Sequence, residues 1–307
     1  MSDLRRHAED YLRLRRSLGF KLTLHGKVLA KFVDYLDAAG ASGITTEMAV
    51  SFAQLPADVQ PIQWAHRLSM VRGFARYVQA IDPATEVPPH NVFAPRYQRP
   101  TPYLWQEAEV LDLLAAARQL RPALCALTYE TFFGLLWCSG LRIGEAIGLQ
   151  RDDVDLSAGV ITVHHAKLGR MRLLPLLQSS ADALASYAVS RDRLFPQPRS
   201  DAFFISGRGT ALIPQAVGQV FHRLAVKTGL RSVTKRPRVH DLRHSFAVRV
   251  LVECYRSGID VEARMVALSM YLGHVNPVDT YWYLHASPDL VELVAERLSD
   301  RPEGVER

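Results

Sequence analysis

Four short clusters hold the residues whose types and spacing could do chemistry: residues 139–145, Lys167, residues 240–244, and residues 272–274 with the Tyr-Trp-Tyr run at 281–283. Arg142 and Glu145 lie three residues apart, so they can pair on one helical turn. His240 and Arg243 also share a helix face. Taken singly, these features have ordinary explanations, because an ion pair can be purely structural and most lysines in turns are simply solvated.

Together the clusters supply two arginines, a lysine, two histidines and a tyrosine, a cationic set with one potential nucleophile. Such a set suits an oxyanion whose charge must be stabilised without a metal. The arginine guanidinium is a planar fork of donors that matches phosphate oxygens. A phosphodiester of a DNA backbone would also fit a dispersed basic surface.

A metal site is the less favoured interpretation of the histidines. His240 and His244 have the i, i+4 spacing of a zinc-binding helix. No glutamate lies between them in the zinc-protease arrangement, and Arg243 would lie close to any bound cation. The sequence also lacks a P-loop. We therefore expect neither a metal nor another cofactor.

The composition is that of a globular protein, with 307 residues of which 48% are hydrophobic and 22% charged. No apolar run of about 18 residues is present, so no membrane span is expected. The charged N-terminus lacks the apolar core of a secretory signal. Three scattered cysteines do not make a disulfide framework. These features predict a reduced, cytoplasmic protein.

The net charge of the chain is a modest +6, but the charged residues are unevenly distributed along it. The first 31 residues carry eight basic and three acidic side chains, and residues 227–249 carry seven basic side chains against one aspartate. The basic residues that we expect to contact DNA are Arg13, Arg15, Arg16, Lys21, Lys27, Arg96, Arg99, Arg170, Lys235, Arg236 and Arg238. On charge alone, a solvated helix face explains the N-terminal members as well as a phosphate-facing surface does.

The length is compatible with two domains, and hydrophobic periodicity divides the chain accordingly. Residues 1–81 are predicted to form a small domain of four helices; in the first, an apolar stripe of Leu4, Tyr11, Leu14 and Leu18 ends at Gly19. Residues 82–102 contain six prolines and predict an interdomain linker. Residues 103–307 are predicted to form a mainly helical α+β domain with a small β-hairpin.

The predicted elements of this second domain place Lys167 in the hairpin turn, between strands at 160–164 and 171–174. Helices are predicted at 107–119, 123–138, 143–149, 178–191, 214–228, 241–256, 261–272 and 288–298. The last of these carries an apolar stripe, which could pack on its own domain or against another subunit: Leu290, Val291, Leu293, Val294 and Leu298.

In their order along the chain, the clusters resemble the tyrosine recombinase, or phage integrase, family. The residues that carry the resemblance are Gly140-Leu141-Arg142-Ile143-Gly144-Glu145, the hairpin Lys167, His240-x-x-Arg243-His244, Leu272-Gly273-His274, and Tyr283 nine residues after His274. The helical N-terminal part is similar, more loosely, to the core-binding domain of the family. The resemblance therefore implies a core-binding domain followed by a catalytic domain with a C-terminal tail helix.

The resemblance also implies residue roles. Tyr283 would attack the scissile phosphate, forming a 3′-phosphotyrosyl link and freeing a 5′-hydroxyl; Tyr281 is the rival nucleophile. Arg142 and Arg243 would hold the nonbridging oxygens. The remaining roles are proton transfer to the leaving 5′-oxygen by Lys167, assistance to the tyrosine by His240, a hydrogen bond to the phosphate from His274, and support from Glu145 and His244.

The implied function is site-specific recombination or integration of double-stranded DNA, including transposition of mobile elements, without metal or ATP. The implied assembly is a homotetramer on two duplexes, formed from a chain that can be monomeric when free, with related recombinases or accessory proteins as further partners. The enzyme would act in the cytoplasm, on the nucleoid. Two alternatives stay open, namely relaxation of DNA by a type IB topoisomerase-like enzyme and DNA binding through a degenerate site.

Overall fold

The computed structural model describes residues 3–93, 101–164, 171–274, 276, 278–281, 283, 290 and 292–293. The chain divides into two compact units, Met1–Pro100 and Thr101–Arg307. Within the described residues, no helix is both long enough and apolar enough to cross a membrane. The first unit is built around one buried apolar cluster, and the described residues of the second unit form three.

Between residues 3 and 93 the chain forms four helices: α1 (Asp3–Ser17), α2 (Thr23–Ala38), α3 (Thr46–Gln54) and α4 (Pro61–Gln79). Thr45 caps α3, since its hydroxyl accepts a hydrogen bond from the backbone N–H of Met48 at 3.2 Å. Aromatic residues fill the centre of this unit, where the rings of Phe32 and Phe52 lie 5.0 Å apart. The four predicted helices are confirmed.

The apolar stripe of α1 is buried only along its first part. Leu4 and Tyr11 are in the core, whereas Leu14 and Leu18 are 50% and 63% exposed. The contacts of α1 with the apolar cluster stop at Leu12. The last turn of the helix therefore projects beyond the core, and helical spacing alone overstates how much of the stripe is buried.

Part of the proline-rich segment packs on the N-terminal unit. The buried guanidinium of Arg72 donates from Nε to the carbonyl of Pro88 at 2.8 Å and from Nη2 to that of Pro89 at 2.7 Å. The carboxylate of Glu86 accepts from the backbone N–H of Thr46 at 2.7 Å. These bonds fix residues 86–89, which the sequence assigns to the linker, against α3 and α4.

The second unit is mainly helical. Its core surrounds α6, which is apolar on nearly every face and packs against α5, α8 and α10. The helices are α5 (Glu107–Arg118), α6 (Ala123–Ser139), α7 (Ile143–Gly148), α8 (Gln178–Leu194), α9 (Pro214–Lys227), α10 (Val239–Arg256), α11 (Val261–Leu272) and α12 (Val278–Tyr281). Except for α12, which the sequence did not indicate, these confirm the predicted helices. The predicted helix at 288–298 falls largely outside the described residues.

A small antiparallel sheet completes the unit. Its strands are β1 (Val154–Asp155), β2 (Val160–His164) and β3 (Met171–Pro175), and β2 lies in the middle. The hairpin register pairs Val163 with Arg172 and His164 with Met171. The predicted α+β fold with a small hairpin is thus confirmed, and β1 is an addition. Lys167 and Arg170, in the hairpin connection, lie outside the described residues.

Candidate active site

The turn after α6 positions the first cluster. Gly140 ends α6 with φ +61°, and a Cβ there would lie 2.5 Å from the ring of Phe246, so a side chain is excluded for two reasons. Arg142 follows at the N-cap position of α7. Glu145, one turn on, accepts from the backbone N–H and from Nη1 of Arg142, both at 3.0 Å. The predicted ion pair is therefore present.

Arg172 on β3 completes this pair from the other side, and sequence reasoning missed it. Its guanidinium donates two hydrogen bonds to the carboxylate of Glu145, from Nη1 to Oε1 at 3.0 Å and from Nη2 to Oε2 at 2.8 Å. Both side chains are nearly buried, at 12% and 10% exposure. Burial alone would raise the pKa of Glu145, but the bonds from Arg172 and from the Arg142 backbone, with the charges of both arginines, lower it to about 2.

Arg243, on α10, is the most deeply buried cation of the site, at 1% exposure. Nη1 donates to the carbonyl of Gly140 and Nη2 to that of Leu272, both at 2.7 Å. Burial, and next the neighbouring charge of Arg142, lower the pKa of Arg243 to about 10. The group remains a cation at neutral pH.

Three arginines converge on the C-terminal end of α11. The carbonyls of residues 271–273 accept from Arg172 (Nε, 2.9 Å), from Arg142 (Nη1, 3.2 Å, and Nη2, 3.1 Å) and from Arg243 (Nη2, 2.7 Å). The last carbonyls of a helix have no partner within the helix and carry its partial negative charge. These carbonyl groups therefore stabilise three positively charged arginines close together, so each arginine does not need a carboxylate of its own.

His274 follows directly, at the left-handed cap Gly273. Its Nε2 lies 2.9 Å from Nη2 of Arg243, and its Nδ1 lies 2.6 Å from the hydroxyl of Thr280. Thr280 is on α12 and only 1% exposed. Sequence reasoning did not single out Thr280, because a threonine six residues after the histidine carries no periodic or charge signal.

Tyr283 is enclosed by this cluster, at 2% exposure. Its ring centre lies 5.4 Å from that of His244 and 6.0 Å from that of His274, on which it stacks at 26°. Tyr283 also lies next to Arg243, since it raises the pKa of that guanidinium against the larger effect of burial. Tyr281, the rival, is 50% exposed. The structure thus brings Tyr283, and not Tyr281, to the two histidines.

His240 lies at the start of α10 with its ring 4.6 Å from that of His244. His240 is exposed at the surface, but partial loss of solvent to the surrounding protein, and next the charge of Arg243, lower its pKa. The ring is therefore neutral at neutral pH and can accept a proton. Within the described residues, no group of three histidine, cysteine or acidic side chains is arranged to hold a metal ion.

The residues predicted to contact DNA are distributed over both units. Arg15 is partly buried over the ring of Phe20, 4.2 Å from its centre, and Arg238 bonds Asp241 at 2.9 Å. Those that are exposed at the surface are Arg13, Arg16, Lys21, Lys27, Lys235, Arg236 and Arg238. Arg96, Arg99 and Arg170 lie outside the described residues, as does Lys167.

A model of the phage integrase family matches residues 105–289, which is more than half of the chain and includes the whole cluster around Tyr283. The chain belongs to the phage integrase family. Its activity is that of a tyrosine recombinase, which cuts and rejoins DNA strands in site-specific recombination.

Similar proteins agree with this membership. The recombinase is 40% identical to a Sinorhizobium fredii protein named "Putative integrase/recombinase y4rB", with 98% of each chain covered. It is 30% identical to tyrosine recombinase XerD of Caulobacter vibrioides, over 87% of this chain and 86% of that one. Among solved structures, the Tn1549 transposon integrase in complex with transposon right end DNA has the same fold, with a TM-score of 0.66, 17% identity, and 95% and 98% of the two chains covered.

Proposed function

We propose that the recombinase cuts DNA with Tyr283, forming a 3′-phosphotyrosyl link and releasing a 5′-hydroxyl. The observation that carries this proposal is the enclosure of Tyr283 between His244 and His274, next to Arg243. Tyr281, two residues earlier, is half exposed and therefore a poorer candidate. A tyrosine hydroxyl is a weak nucleophile at neutral pH until its proton is drawn off, so its neighbours matter.

Arg142 and Arg243 would hold the nonbridging oxygens of the scissile phosphate. Both already donate to backbone oxygens at the end of α11, so their guanidinium forks are oriented before DNA binds. The Arg142 side chain is 35% exposed, so it can reach a ligand from the surface. A preoriented donor to the charge that develops in the transition state is typically worth about 3 kcal/mol.

The proton and the bonds balance without a cofactor. As the Tyr283 oxygen bonds to phosphorus, its proton passes to the neutral ring of His240, directly or through His244. The bond from phosphorus to the 5′-oxygen breaks, and Lys167 protonates that oxygen. Attack of a 5′-hydroxyl on the phosphotyrosine reverses each transfer and reseals the strand, so the energy of the phosphodiester is conserved in the covalent link.

The decisive experiment compares Tyr283→Phe with its matched control Tyr281→Phe. A duplex would first be selected by the purified enzyme from a random pool, then nicked near the cut site so that religation is prevented. We expect the parent and Tyr281→Phe to form a covalent DNA adduct on denaturing gels, and Tyr283→Phe to bind the duplex without forming one. Adduct formation by Tyr283→Phe would refute the assignment. Plasmid relaxation without the selected site would point to the topoisomerase alternative.

We further propose a homotetramer on two duplexes. An apolar groove of about 530 Å³ runs between α10, α11 and the chain after β3, lined in part by Phe246, Val250 and Leu268. Leu177, on its wall, is 76% exposed. Leu290 itself is fully buried in the cluster of its own unit with Tyr283, so the groove would receive other residues of the tail from a second subunit.

Light scattering of complexes with the selected duplex tests this assembly. Leu177→Glu should leave binding of one subunit to a half-site intact and abolish the tetramer, because it places a charge in the groove. Leu111→Glu is the control, since Leu111 is 59% exposed on α5 and outside the groove. A tetramer that survives Leu177→Glu would rule the groove out. We also propose that the recombinase works in the cytoplasm, on the nucleoid, where it would meet its DNA substrate.

A further inference from the structure

His274 is held at both of its ring nitrogens, which sets the position of its proton. Nε2 faces Nη2 of Arg243 at 2.9 Å, and Nδ1 faces the hydroxyl of Thr280 at 2.6 Å. An arginine only donates hydrogen bonds, so Nε2 must accept and carries no proton. The proton is therefore on Nδ1 and is donated to Thr280.

This tautomer is the wrong one for the proposed function. To donate a hydrogen bond to the phosphate while Thr280 holds Nδ1, His274 must carry a proton on Nε2. A doubly protonated ring would supply it, but Arg243 faces Nε2 as a cation and Arg142 donates to the adjoining carbonyl of Gly273. The carboxylate of Glu145 is already bonded to Arg142 and Arg172. Within the part of the chain that the structure describes, Tyr283 and, behind it, His244 are further titratable neighbours.

A hydroxyl group can resolve the conflict because it donates or accepts equally well. If the Thr280 hydroxyl turns to donate to Nδ1, the ring can lose the proton on Nδ1 and gain one on Nε2 by exchange with water. The net charge of the ring does not change. The side chain of Thr280 is fully buried and is held on α12, three residues before Tyr283, so its oxygen stays in place during the exchange.

We propose that Thr280 is a positioning residue that allows His274 to switch tautomer when the phosphate binds. The switch frees Nη2 of Arg243 from Nε2 and supplies a neutral donor beside the two arginines. This inference rests on the proposed function, because it assumes that His274 donates to the scissile phosphate. It adds to that function a specific partner that the histidine requires.

The test compares Thr280→Val, which keeps the shape and removes the hydroxyl, with Thr280→Ser, which keeps the hydroxyl. Single-turnover adduct formation on the nicked duplex would be followed from about pH 6 to about pH 9, the range in which histidine titrates. In Thr280→Val the ring loses its anchor at Nδ1 in every protonation state, so Nε2–H is no longer held toward the phosphate and the rate should fall at every pH. We expect a loss of about tenfold across this range, equivalent to one hydrogen bond, and its restoration by Thr280→Ser.

A double-variant comparison separates this role from a merely structural one. In a His274→Gln background, Thr280→Val should cause no further loss, because it acts only through the histidine. A loss that Thr280→Ser does not restore, or a loss that adds to that of His274→Gln, would overturn the proposal. If the parent enzyme forms no adduct, or if Tyr283→Phe forms one, the proposed function fails instead, so the two failures are distinguishable.

Nitrogen NMR of the histidine-labelled full chain tests the switch without a Thr280 variant. The free protein should show His274 protonated on Nδ1. The complex of Tyr283→Phe with its selected duplex should show the proton on Nε2. A ring that stays protonated on Nδ1 in the complex would refute the inference, even if Thr280→Val failed to fold.

Discussion

Arg142 and Arg243 donate to one and the same oxygen atom, the carbonyl of Leu272, at 3.2 Å from Nη1 and 2.7 Å from Nη2. The two arginines are about a hundred residues apart in sequence, and their like charges repel. The shared acceptor at the negative end of α11 offsets that repulsion. Two cations are thereby kept side by side before any phosphate is present.

Arg243→Lys should therefore lower the rate of adduct formation by at least about a hundredfold, because lysine cannot reach Gly140 and Leu272 together with a phosphate. Its alkaline limit should also fall: the pKa of Arg243 is already lowered to about 10 by burial and by Arg142, and a lysine starts from a lower value. Activity needs the cation, so it is lost as pH rises. Arg249→Lys, on the same helix over Trp137, is the control. An unchanged Arg243→Lys rate would exclude phosphate binding by this residue.

The pair of Arg172 and Glu145 predicts a large effect on stability. Arg172→Met would leave a nearly buried carboxylate without its two-pronged partner, and breaking such a pair costs about 3–5 kcal/mol. The matched control is Arg118→Met, which breaks the bond to Glu130 at 2.6 Å where the arginine is 64% exposed; its cost should be below about 1 kcal/mol. Urea unfolding of the full chain measures both. Equal costs would show that the buried pair has no special role.

Sequence patterns located most of the fold and the residues of the site, for identifiable reasons. In a helix with a long apolar stripe, the apolar residues recur every few positions, so the bounds of these helices could be predicted to within a few residues. The pair of Arg142 and Glu145 was predictable because both residues lie on one helical turn. Arg172 was not, because its partner is 27 residues away and the contact depends on strand register.

The rest of the site could not be predicted because it is made of backbone atoms. The acceptors that gather the arginines are carbonyl groups at the end of α11, and their direction depends on where that helix stops and how it packs. Gly273, the left-handed cap, could be identified in the sequence, but the convergence of the three arginines on this helix end could not be predicted. Thr280 acts through its side chain, but it was missed because only the fold of the α12 segment brings its hydroxyl to His274.

Acid should weaken the contribution of Glu145 to stability. Its pKa is about 2 in the folded protein against an ordinary 4.5, so the charged carboxylate stabilises the fold above about pH 4.5 and the contribution is lost as pH falls toward 2. The shift corresponds to about 3 kcal/mol. The difference in unfolding free energy between the parent and Glu145→Gln should therefore shrink from pH 6 to pH 3, whereas that for Glu130→Gln should stay below about 1 kcal/mol throughout. A difference for Glu145→Gln that is independent of pH would contradict the argument.

Salt dependence should separate the basic residues that contact DNA from those that are already neutralised by protein. Lys21 and Lys27 are exposed in the N-terminal unit. Each lysine that neutralises a phosphate steepens the plot of log binding constant against log salt concentration by about 0.9, so Lys21→Gln and Lys27→Gln should each flatten it by that amount. Arg5→Gln is the matched control, because Arg5 is tied to Asp34 at 2.8 Å and to Asp37 at 2.9 Å and so has little charge to offer DNA. If Arg5→Gln flattens the slope while the two lysine variants do not, the DNA-facing surface of this unit lies elsewhere than we propose.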